Sequence, residues 1–238
     1  MTLLPDDEQP DEPVIPEVPI DPWKDIEDGV YAVSADGKPV NVDNADESCI
    51  AVALIKGPHK FMIAKNDATD GTNNTLYWGK NLYTLDVAGI PDTKLINGTL
   101  GNELSTDFTT WTKGGLADFA GKENTPAILA AYSDHGVSRD PRDMCSVWRK
   151  FNADTDQNQG KSDWYIPACG QLALIYLNMS DINTVLEKID GTILTKNVYW
   201  SSSENNSYYG WFINFNRGFV SDLYKNSFGQ VRFIRDIE

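Results

Sequence analysis

Residues 199–235 read YWSSSENNSYYGWFINFNRGFVSDLYKNSFGQVRFIR, and this stretch decides the fold class of the chain. Apolar residues alternate with polar ones in short runs that Gly, Asn and Ser interrupt, which is the pattern of strands in an antiparallel sheet. Trp200 and Trp211 are large side chains that burial favours, and we expect both to be fixed anchors. The three serines at 201–203 predict a tight turn whose hydroxyls bond the backbone. Strands are expected at 198–200, 210–215, 219–221 and 230–235, and the apolar positions expected to face the interior are Ile213, Phe215, Val220, Val231 and Ile234.

The chain before this stretch predicts strands first and helices in the middle. Strands are expected at 29–33, near the hairpin signal Asp36-Gly37, at 50–55 and 60–64 on either side of Gly57-Pro58, and as a shorter strand or edge at 75–79. Residues 86–112 and 133–160 predict irregular structure. Helices are expected at 125–132 with Pro126 in the first turn, at 171–177, and at 180–189 with Ser180 as N-cap and Gly191 after the end. This order predicts an α+β fold with a mostly antiparallel sheet, in which the N- and C-terminal strands pair.

The first 22 residues differ in composition from the rest of the chain. Proline and acidic residues dominate 1–22, which predicts an extended, disordered tether before a globular domain at 23–238. The formal net charge is -15, and a polyanion of this kind repels nucleic acid and anionic membranes. No apolar run is long enough to cross a bilayer, so a membrane-embedded protein is not expected. Three cysteines do not form a disulfide framework, and three buried thiols are favoured over one bridge with a free thiol.

The segment Tyr199–Arg235 resembles the variable region of proteins that bacterial and phage diversity-generating retroelements diversify. Two other segments fit the same family: DWYIPA at 163–168 matches a strand-to-helix W-x-[LI]-P element, and GVYAV at 29–33 matches the opening strand. The likeness covers about residue 29 onward and extends, more distantly, to the formylglycine-generating-enzyme group and to paralogous surface domains with a W-S-S segment. It implies a C-type-lectin-type fold whose variable, ligand-binding region lies at about 199–235.

This resemblance also implies that fixed scaffold positions alternate with variable ones. Randomised Asn codons cannot yield Trp, Lys, Glu, Gln or Met, and those types mark most of the scaffold, whereas Tyr, Ser, Asn and Arg are typical of recognition surfaces. The scaffold positions are Trp200, Glu204, Trp211, Lys225, Gln230 and Arg232. The implied variable, ligand-binding positions are Asn205, Asn206, Tyr208, Tyr209, Phe212, Asn216, Arg217, Phe219, Ser221, Asp222, Leu223, Tyr224, Asn226, Ser227, Phe228 and Gly229.

The sequence gives little support for a catalytic site or a metal site. His59 follows Pro58 and is expected in a solvated loop, and His135 has no nucleophile motif to serve. The stretch DTDQNQG at 154–160 has oxygens at alternate positions, as calcium loops do, but its Gly comes one place late, so a polar turn is favoured. Two of the three cysteines, Cys145 and Cys169, lie in segments that do not match the reactive-cysteine site of the formylglycine-type enzymes. We therefore expect no enzyme, no catalytic residue, no cofactor and no bound metal.

The sequence thus predicts a surface protein that binds a protein or glycan ligand on another cell or particle, through a face that a retroelement diversifies. It is expected on a cell surface, as an outer-membrane lipoprotein anchored through a removed N-terminus, or at a phage virion tip. Three alternatives stay open: an undiversified adhesin or fimbrial-tip domain of the same fold, a formylglycine-generating-type enzyme, and a calcium-dependent lectin.

Overall fold

The computed structural model describes residues 21–90, 102–103, 106–111 and 114–237, with backbone only at 102–103. The described residues form eleven strands and four α-helices. The strands are β1 (Gly29–Val33), β2 (Pro39–Val40), β3 (Ala51–Lys56), β4 (His59–Ala64), β5 (Leu76–Tyr77), β6 (Asn102–Glu103), β7 (Val198–Asn206), β8 (Tyr209–Asn214), β9 (Phe219–Tyr224), β10 (Phe228–Gly229) and β11 (Ile234–Asp236). The helices are α1 (Gly121–Asp134), α2 (Met144–Ala153), α3 (Cys169–Leu177) and α4 (Met179–Lys188). The predicted acidic tether at 1–22 lies outside the described residues except for its last two positions.

Three antiparallel sheets organise these strands. The largest has the order β11-β4-β3-β1-β2, the second has the order β6-β9-β8-β7, and β10 pairs with β5 alone. The expectation of an α+β fold with a mostly antiparallel sheet is confirmed. The C-terminal strand does join the sheet that holds β1, but its direct neighbour is β4, with Ile234 opposite Ile63.

The central strand β3 divides the interior into two cores. Its side chains alternate between faces, so Ala51, Ala53 and Ile55 enter one hydrophobic cluster, whereas Val52 and Leu54 enter the other. Helices α1 and α2 pack in the first cluster, and α3 and α4 pack in the second. A strand covered on both faces is apolar throughout, which explains the unbroken AVALI run.

The short loops around β1 to β4 follow the predicted turns. Gly37 has φ +84 and Gly57 has φ +56, the left-handed region that glycine enters without steric cost. Trp23 is buried just before β1, and its indole N–H donates to the Gly37 carbonyl at 2.9 Å. The packed domain therefore includes the chain from Trp23 onward.

Helix boundaries differ from the predicted ones in two places. Helix α1 begins at Gly121, so Pro126 lies in its interior and not in its first turn. The Thr125 hydroxyl donates to the Gly121 carbonyl at 2.8 Å, whereas the carbonyl that Pro126 deprives of its helical donor is that of Lys122. Helix α4 begins after Asn178, which also ends α3, so the prediction of Ser180 as N-cap is wrong. Its C-terminus is closed by the Gly191 N–H, which donates to Leu186 O at 2.7 Å.

Helix α2 corrects the prediction that 133–160 is irregular throughout. Met144, Val147 and Phe151 are buried at i, i+3 and i+7, the spacing of one helical face. The charged pair Arg149 and Lys150 lies on the solvent side of the same helix. The polar segments on either side of the helix, which are rich in Asp, Asn and Gln, hid this pattern.

The three serines of 201–203 are strand residues and not a tight turn. All three are fully buried in β7, where the register shifts between Trp200 and Glu204. Ser201 Oγ donates to the Trp211 carbonyl at 2.8 Å, and Ser203 Oγ donates to Asp118 Oδ2 at 2.6 Å. Small hydroxyl side chains fit here because partners from distant parts of the chain satisfy them.

The apolar positions at the C-terminus lie where the sequence predicts. Those expected to face the interior, namely Ile213, Phe215, Val220, Val231 and Ile234, are all buried. The predicted strand at 230–235 is shorter, since only Ile234–Asp236 enters the ladder. Residues before it bond the chain after β4 instead: Ala64 N donates to Phe233 O and Ala68 N donates to Val231 O, both at 2.9 Å. Among the described residues, no helix has the length and apolarity that a membrane crossing requires.

Candidate binding face

Four tyrosines meet at one end of the β8–β9 hairpin, and we call them the tyrosine cluster: Tyr83, Tyr208, Tyr209 and Tyr224. Tyr209 is the cross-strand partner of Tyr224, and their rings stack with centroids 4.6 Å apart. Tyr83 packs edge-on against Tyr208 at 5.5 Å and against Tyr224 at 5.6 Å. Tyr208 and Tyr224 are 44% and 43% exposed. The hydrogen bond with Tyr224 raises the pKa of Tyr209 to about 12.

A second aromatic group, the Phe228 cluster, consists of Phe228, Tyr77 and Arg142. Phe228 is paired with Tyr77 in the β10–β5 ladder, and their rings stack at 4.3 Å. The Arg142 guanidinium carbon lies 4.2 Å from the centroid of the Phe228 ring, and Arg142 also donates to Thr75 O at 2.9 Å. Phe228 is 44% exposed. The turn after β9 links the two clusters, because Ser227 N donates to Tyr224 O at 2.8 Å.

Buried indoles hold the frame beneath these clusters. Trp78 Nε1–H donates to Ser201 O at 2.8 Å, and Trp200 Nε1–H donates to Leu76 O at 3.1 Å. Each of these hydrogen bonds joins residues 76–78, in and beside β5, to strand β7, although the bonded residues lie more than a hundred positions apart in the sequence. Gly210 lies against Trp78, where a Cβ atom would approach Trp78 Cδ1 to 2.5 Å, so a residue without a side chain is required there. Trp211 is likewise buried, as predicted for a scaffold anchor.

A buried ion pair fastens the segment that carries Tyr83 to the hairpin. Lys225 and Glu204 bond each other, and both side chains are fully buried. Lys225 Nζ also donates to Leu85 O at 2.7 Å, and the Val87 N–H donates to Glu204 Oε2 at 3.2 Å. The 83–87 segment is thereby held against β7 and the end of β9.

The predicted scaffold residue Arg232 forms a second buried ion pair, with Asp67. Arg232 Nε donates to Asp67 Oδ1 at 2.7 Å, and its other nitrogens donate to the carbonyls of Ala64 and Thr192 at 3.0 and 2.7 Å. Burial raises the pKa of Asp67, and Arg232 offsets part of that rise. Gln230 is also buried and donates to Asp67 Oδ2 at 3.3 Å. This network connects the segment before β11 to the chain after β4.

Several predicted ligand-binding positions do not present a side chain to solvent. Asn205, Phe212, Ser221 and Gly229 are buried, which corrects their placement on an exposed face. Phe212 packs in the first core, and Asn205 donates to the Asp222 carboxylate. A Cβ atom at Gly229 would lie 2.9 Å from two atoms of Trp200, so this position tolerates no side chain without a shift.

The remaining predicted positions divide between the two ends of the hairpin. Asn216 and Arg217 lie in the turn between β8 and β9, where Asn214 Oδ1 accepts their backbone N–H groups at 3.0 and 3.1 Å. Tyr209 and Asn214 begin and end β8, and at about 3.4 Å per residue step this turn is roughly 17 Å from the tyrosine cluster. Half-buried Phe219 pairs with Asn214 and belongs to the same far end.

The positions near the tyrosine cluster differ in their degree of exposure. Asn226 is exposed, whereas Asn206, Asp222, Leu223 and Ser227 are half-buried. Asn206 Oδ1 accepts the Tyr208 N–H at 2.9 Å and shapes the β7–β8 turn. Tyr77, Tyr83 and Arg142 were missed by sequence reasoning, and no local pattern marks them, because each reaches the face through pairing with residues far along the chain.

The residues weighed for catalysis are engaged in structural contacts. His59 begins β4 and stacks on Phe119 at 4.1 Å, which corrects its placement in a solvated loop, and burial lowers its pKa. His135 Nε2 lies 2.7 Å from the carbonyl of Asp86. Asp154 Oδ1 accepts the backbone N–H groups of Asp156 and Gln157 at 3.0 and 3.2 Å, the geometry of a polar turn. Within the described part of the chain, no group of three or more His, Cys, Asp or Glu is placed to hold a metal ion.

All three cysteines are free and buried, as favoured from the sequence. Burial raises the pKa of the Cys145 and Cys169 thiols far above the usual range. Both thiols are therefore protonated at neutral pH and shielded from solvent, which suits packing better than nucleophilic chemistry.

No protein-family model matches this chain, and no curated protein matches it either. Among solved structures, the chain is similar to a fimbrial protein from Bacteroides ovatus, with a TM-score of 0.56 and 16% sequence identity. The superposition covers 89% of this chain and 49% of the fimbrial protein, so the chain spans about half of that protein's length. A likeness at this identity shows a shared fold alone.

Proposed function

We propose that this chain is a ligand-binding surface protein whose binding face is built from the tyrosine cluster and the Phe228 cluster. The observation that carries the proposal is the exposure of Tyr208, Tyr224 and Phe228 on a frame of buried indoles and a buried ion pair. Exposed aromatic residues that are already packed against one another lose little conformational freedom on binding. Such residues are enriched among those that contribute most to binding energy.

In its more specific form, the proposal gives the chain a C-type-lectin-type fold whose binding face is diversified by a retroelement. Fixed residue types are buried beneath it, and most of the exposed positions hold types that adenine randomisation reaches. Neighbouring DNA tests this form: a near-copy of the 3′ end should lie beside a reverse-transcriptase gene. Mismatches to that copy should fall at exposed positions such as Tyr208, Tyr224 and Asn226, and spare Gly229. Absence of such a copy would contradict diversification.

An undiversified adhesin is the second candidate, favoured by the fold shared with the fimbrial protein. It keeps the same binding face and differs only in how that face arose, so the neighbouring DNA separates the two. In either case we propose that the protein is exposed at a surface, either as an outer-membrane lipoprotein of a cell or at the tip of a phage. The proposed partner is a protein or glycan on another cell or particle.

The proposal includes no catalytic step. Buried, protonated thiols do not support the cysteine chemistry of a formylglycine-generating-type enzyme, and the engaged Asp154 carboxylate does not support a calcium-dependent lectin. Assays for thiol-dependent oxidation and for chelator-sensitive glycan binding test these two alternatives directly.

Binding arrays test the face itself. The double variant Tyr208→Ala/Tyr224→Ala and the single variant Phe228→Ala would be compared with the unmodified protein on glycan arrays and on panels of intact cells. We expect at least a roughly tenfold loss of affinity, as truncation of central aromatic residues commonly costs about 2 kcal/mol or more. Ile193→Ala is the matched control, because Ile193 is 41% exposed outside both clusters. Equal binding by the double variant and the control would overturn the proposal.

A further inference from the structure

A cavity beside helix α2 has a positively charged lining, although the net charge of the chain is -15. It measures about 470 Å³ and is lined by Arg139, Pro141, Ser146, Arg149, Lys150 and Ala153. Three of these six residues are cations and none is an acid, in a chain with 20 Lys+Arg against 35 Asp+Glu. We propose that this cavity binds the carboxylate or sulfate group of an acidic saccharide.

Helix geometry explains why the cavity forms. Ser146, Arg149, Lys150 and Ala153 occupy positions i, i+3, i+4 and i+7 of α2 and therefore share one face of the helix. The small side chains of Ser146 and Ala153 leave room on either side of the long side chains of Arg149 and Lys150. Arg139 approaches from the segment that precedes the helix.

The three cations are available to a ligand. None of Arg139, Arg149 and Lys150 forms an ion pair within the described part of the chain. All three side chains are exposed. Their positive charges are therefore hydrated and uncompensated, at a place where two guanidinium groups can each bind an oxyanion in bidentate geometry.

Carboxylates that lie near the cavity along the chain are committed elsewhere. Asp140 pairs with Lys80 at 2.9 Å. Asp143 is fully buried, accepts the Tyr132 hydroxyl at 2.8 Å and accepts the Asp140 N–H at 2.8 Å. Asp154, just after the helix, accepts backbone N–H groups of its own turn. Local charge at the cavity is thus positive, although the molecule as a whole is a polyanion.

The size and lining of the cavity indicate which kind of anion it binds. A volume of about 470 Å³ falls within the range of small-molecule sites, roughly 300–1,000 Å³, and is far more than a free inorganic anion fills. Its lining combines guanidinium, ammonium and hydroxyl donors with a larger share of apolar surface from Pro141, Ala153 and the stems of the long side chains, which suits a saccharide, since a sugar ring has both hydroxyl groups and apolar C–H faces. Long polyanions such as nucleic acid are disfavoured, because the surrounding net charge of -15 repels them beyond the cavity.

Direct titration tests the site, with the full chain and four probes: an oligogalacturonate, a heparin-derived tetrasaccharide, a neutral oligosaccharide of equal length and inorganic sulfate. We expect one of the two acidic saccharides to bind, with affinity that falls as salt rises, and the neutral one not to bind. The double variant Arg139→Gln/Arg149→Gln should bind at least roughly tenfold more weakly, because it removes both bidentate donors. Lys196→Gln, which removes an exposed cation from the loop before β7, is the matched control and should bind normally.

This inference does not depend on the aromatic face. The variant Tyr208→Ala/Tyr224→Ala should keep its affinity for the acidic saccharide, so failure of one proposal is distinguishable from failure of the other. All substituted side chains here are exposed, and thermal unfolding checks that each variant is folded. Failure of both acidic saccharides to bind, equal affinity of Arg139→Gln/Arg149→Gln and Lys196→Gln, or binding of inorganic sulfate in preference to both acidic saccharides would overturn the proposal.

Discussion

Replacing Lys225 by Met should destabilise the protein strongly, because it leaves the Glu204 carboxylate buried without its countercharge. Both side chains are fully buried, so water cannot take over the role of the ammonium group. Breaking a buried pair by removing one partner costs about 3–5 kcal/mol. Each kcal/mol lowers Tm by about 2–4 °C in a domain of this size, so the expected decrease is roughly 6–20 °C. Met keeps the length of the chain beside Trp78, whose ring lies 4.9 Å from the Lys225 ammonium.

Thermal unfolding by circular dichroism and urea unfolding by tryptophan fluorescence measure this cost. Lys196→Met is the matched control, because Lys196 is exposed and the change should cost less than about 0.5 kcal/mol. The double variant Glu204→Gln/Lys225→Met removes both charges and should be more stable than Lys225→Met alone. Equal Tm values for Lys225→Met and Lys196→Met, or a double variant whose loss equals the sum of the two single losses, would refute the argument.

The same substitution bears on binding. Lys225 Nζ donates to Leu85 O, and Glu204 accepts from Val87 N, so the ion pair holds the segment on which Tyr83 stands. Loosening that segment should weaken ligand binding even at temperatures where the variant is folded. A variant with full binding affinity would show that Tyr83 is positioned by its ring contacts alone.

Three further outcomes follow from burial and close packing. Burial raises the pKa of Tyr132, Tyr165 and Tyr199 above the ordinary 10.0. Above about pH 10 the unfolded chain therefore binds fewer protons than the folded one, and the stability of the fold decreases as the pH rises. Alkaline unfolding followed by tyrosinate absorbance should show a cooperative transition, and gradual ionisation without unfolding would contradict this expectation. Gly229→Ala places a Cβ 2.9 Å from Trp200 and should cost about 1–3 kcal/mol in urea unfolding, whereas a neutral result would show that the indole shifts freely. The three buried thiols should react with a thiol reagent only after urea unfolding, and rapid labelling of the native protein would show that one of them is accessible.

Much of the fold could be predicted from local patterns. Alternation and turn residues located β1, β3, β4, β8 and β9, because each strand must bury one face and each hairpin needs a turn that its residues can adopt. Burial of Trp200 and Trp211 followed from their size. The exposure of Tyr208, Tyr224 and Phe228 agrees with the polar residues that surround them in sequence, although their role in binding stays a prediction.

Errors arose where distant partners decide the outcome. Residues 201–203 looked like a turn because hydroxyl groups favour one, but Asp118 and the Trp211 carbonyl satisfy two of these hydroxyls inside β7. Helix α2 has the correct apolar spacing at Met144, Val147 and Phe151, yet the polar segments that flank this short helix concealed the period. Four predicted ligand-binding positions proved to be buried, because Phe212 and Ser221 pair in the middle of the β8–β9 ladder, Asn205 donates to Asp222, and Gly229 lies against Trp200.

By itself, the sequence determined the α+β class, the antiparallel strands and the division between large buried anchors and a polar, tyrosine-rich C-terminal segment, because these depend on periodicity and side-chain size. Only the tertiary structure decided which of those residues share a surface. Hairpin register placed Tyr209 beside Tyr224 and sent Arg217 to the opposite end. Long-range contacts brought Tyr83 to Tyr224 and brought Tyr77 and Arg142 to Phe228. Contacts between such distant parts of the chain have no local signature, since they arise only when the whole core closes.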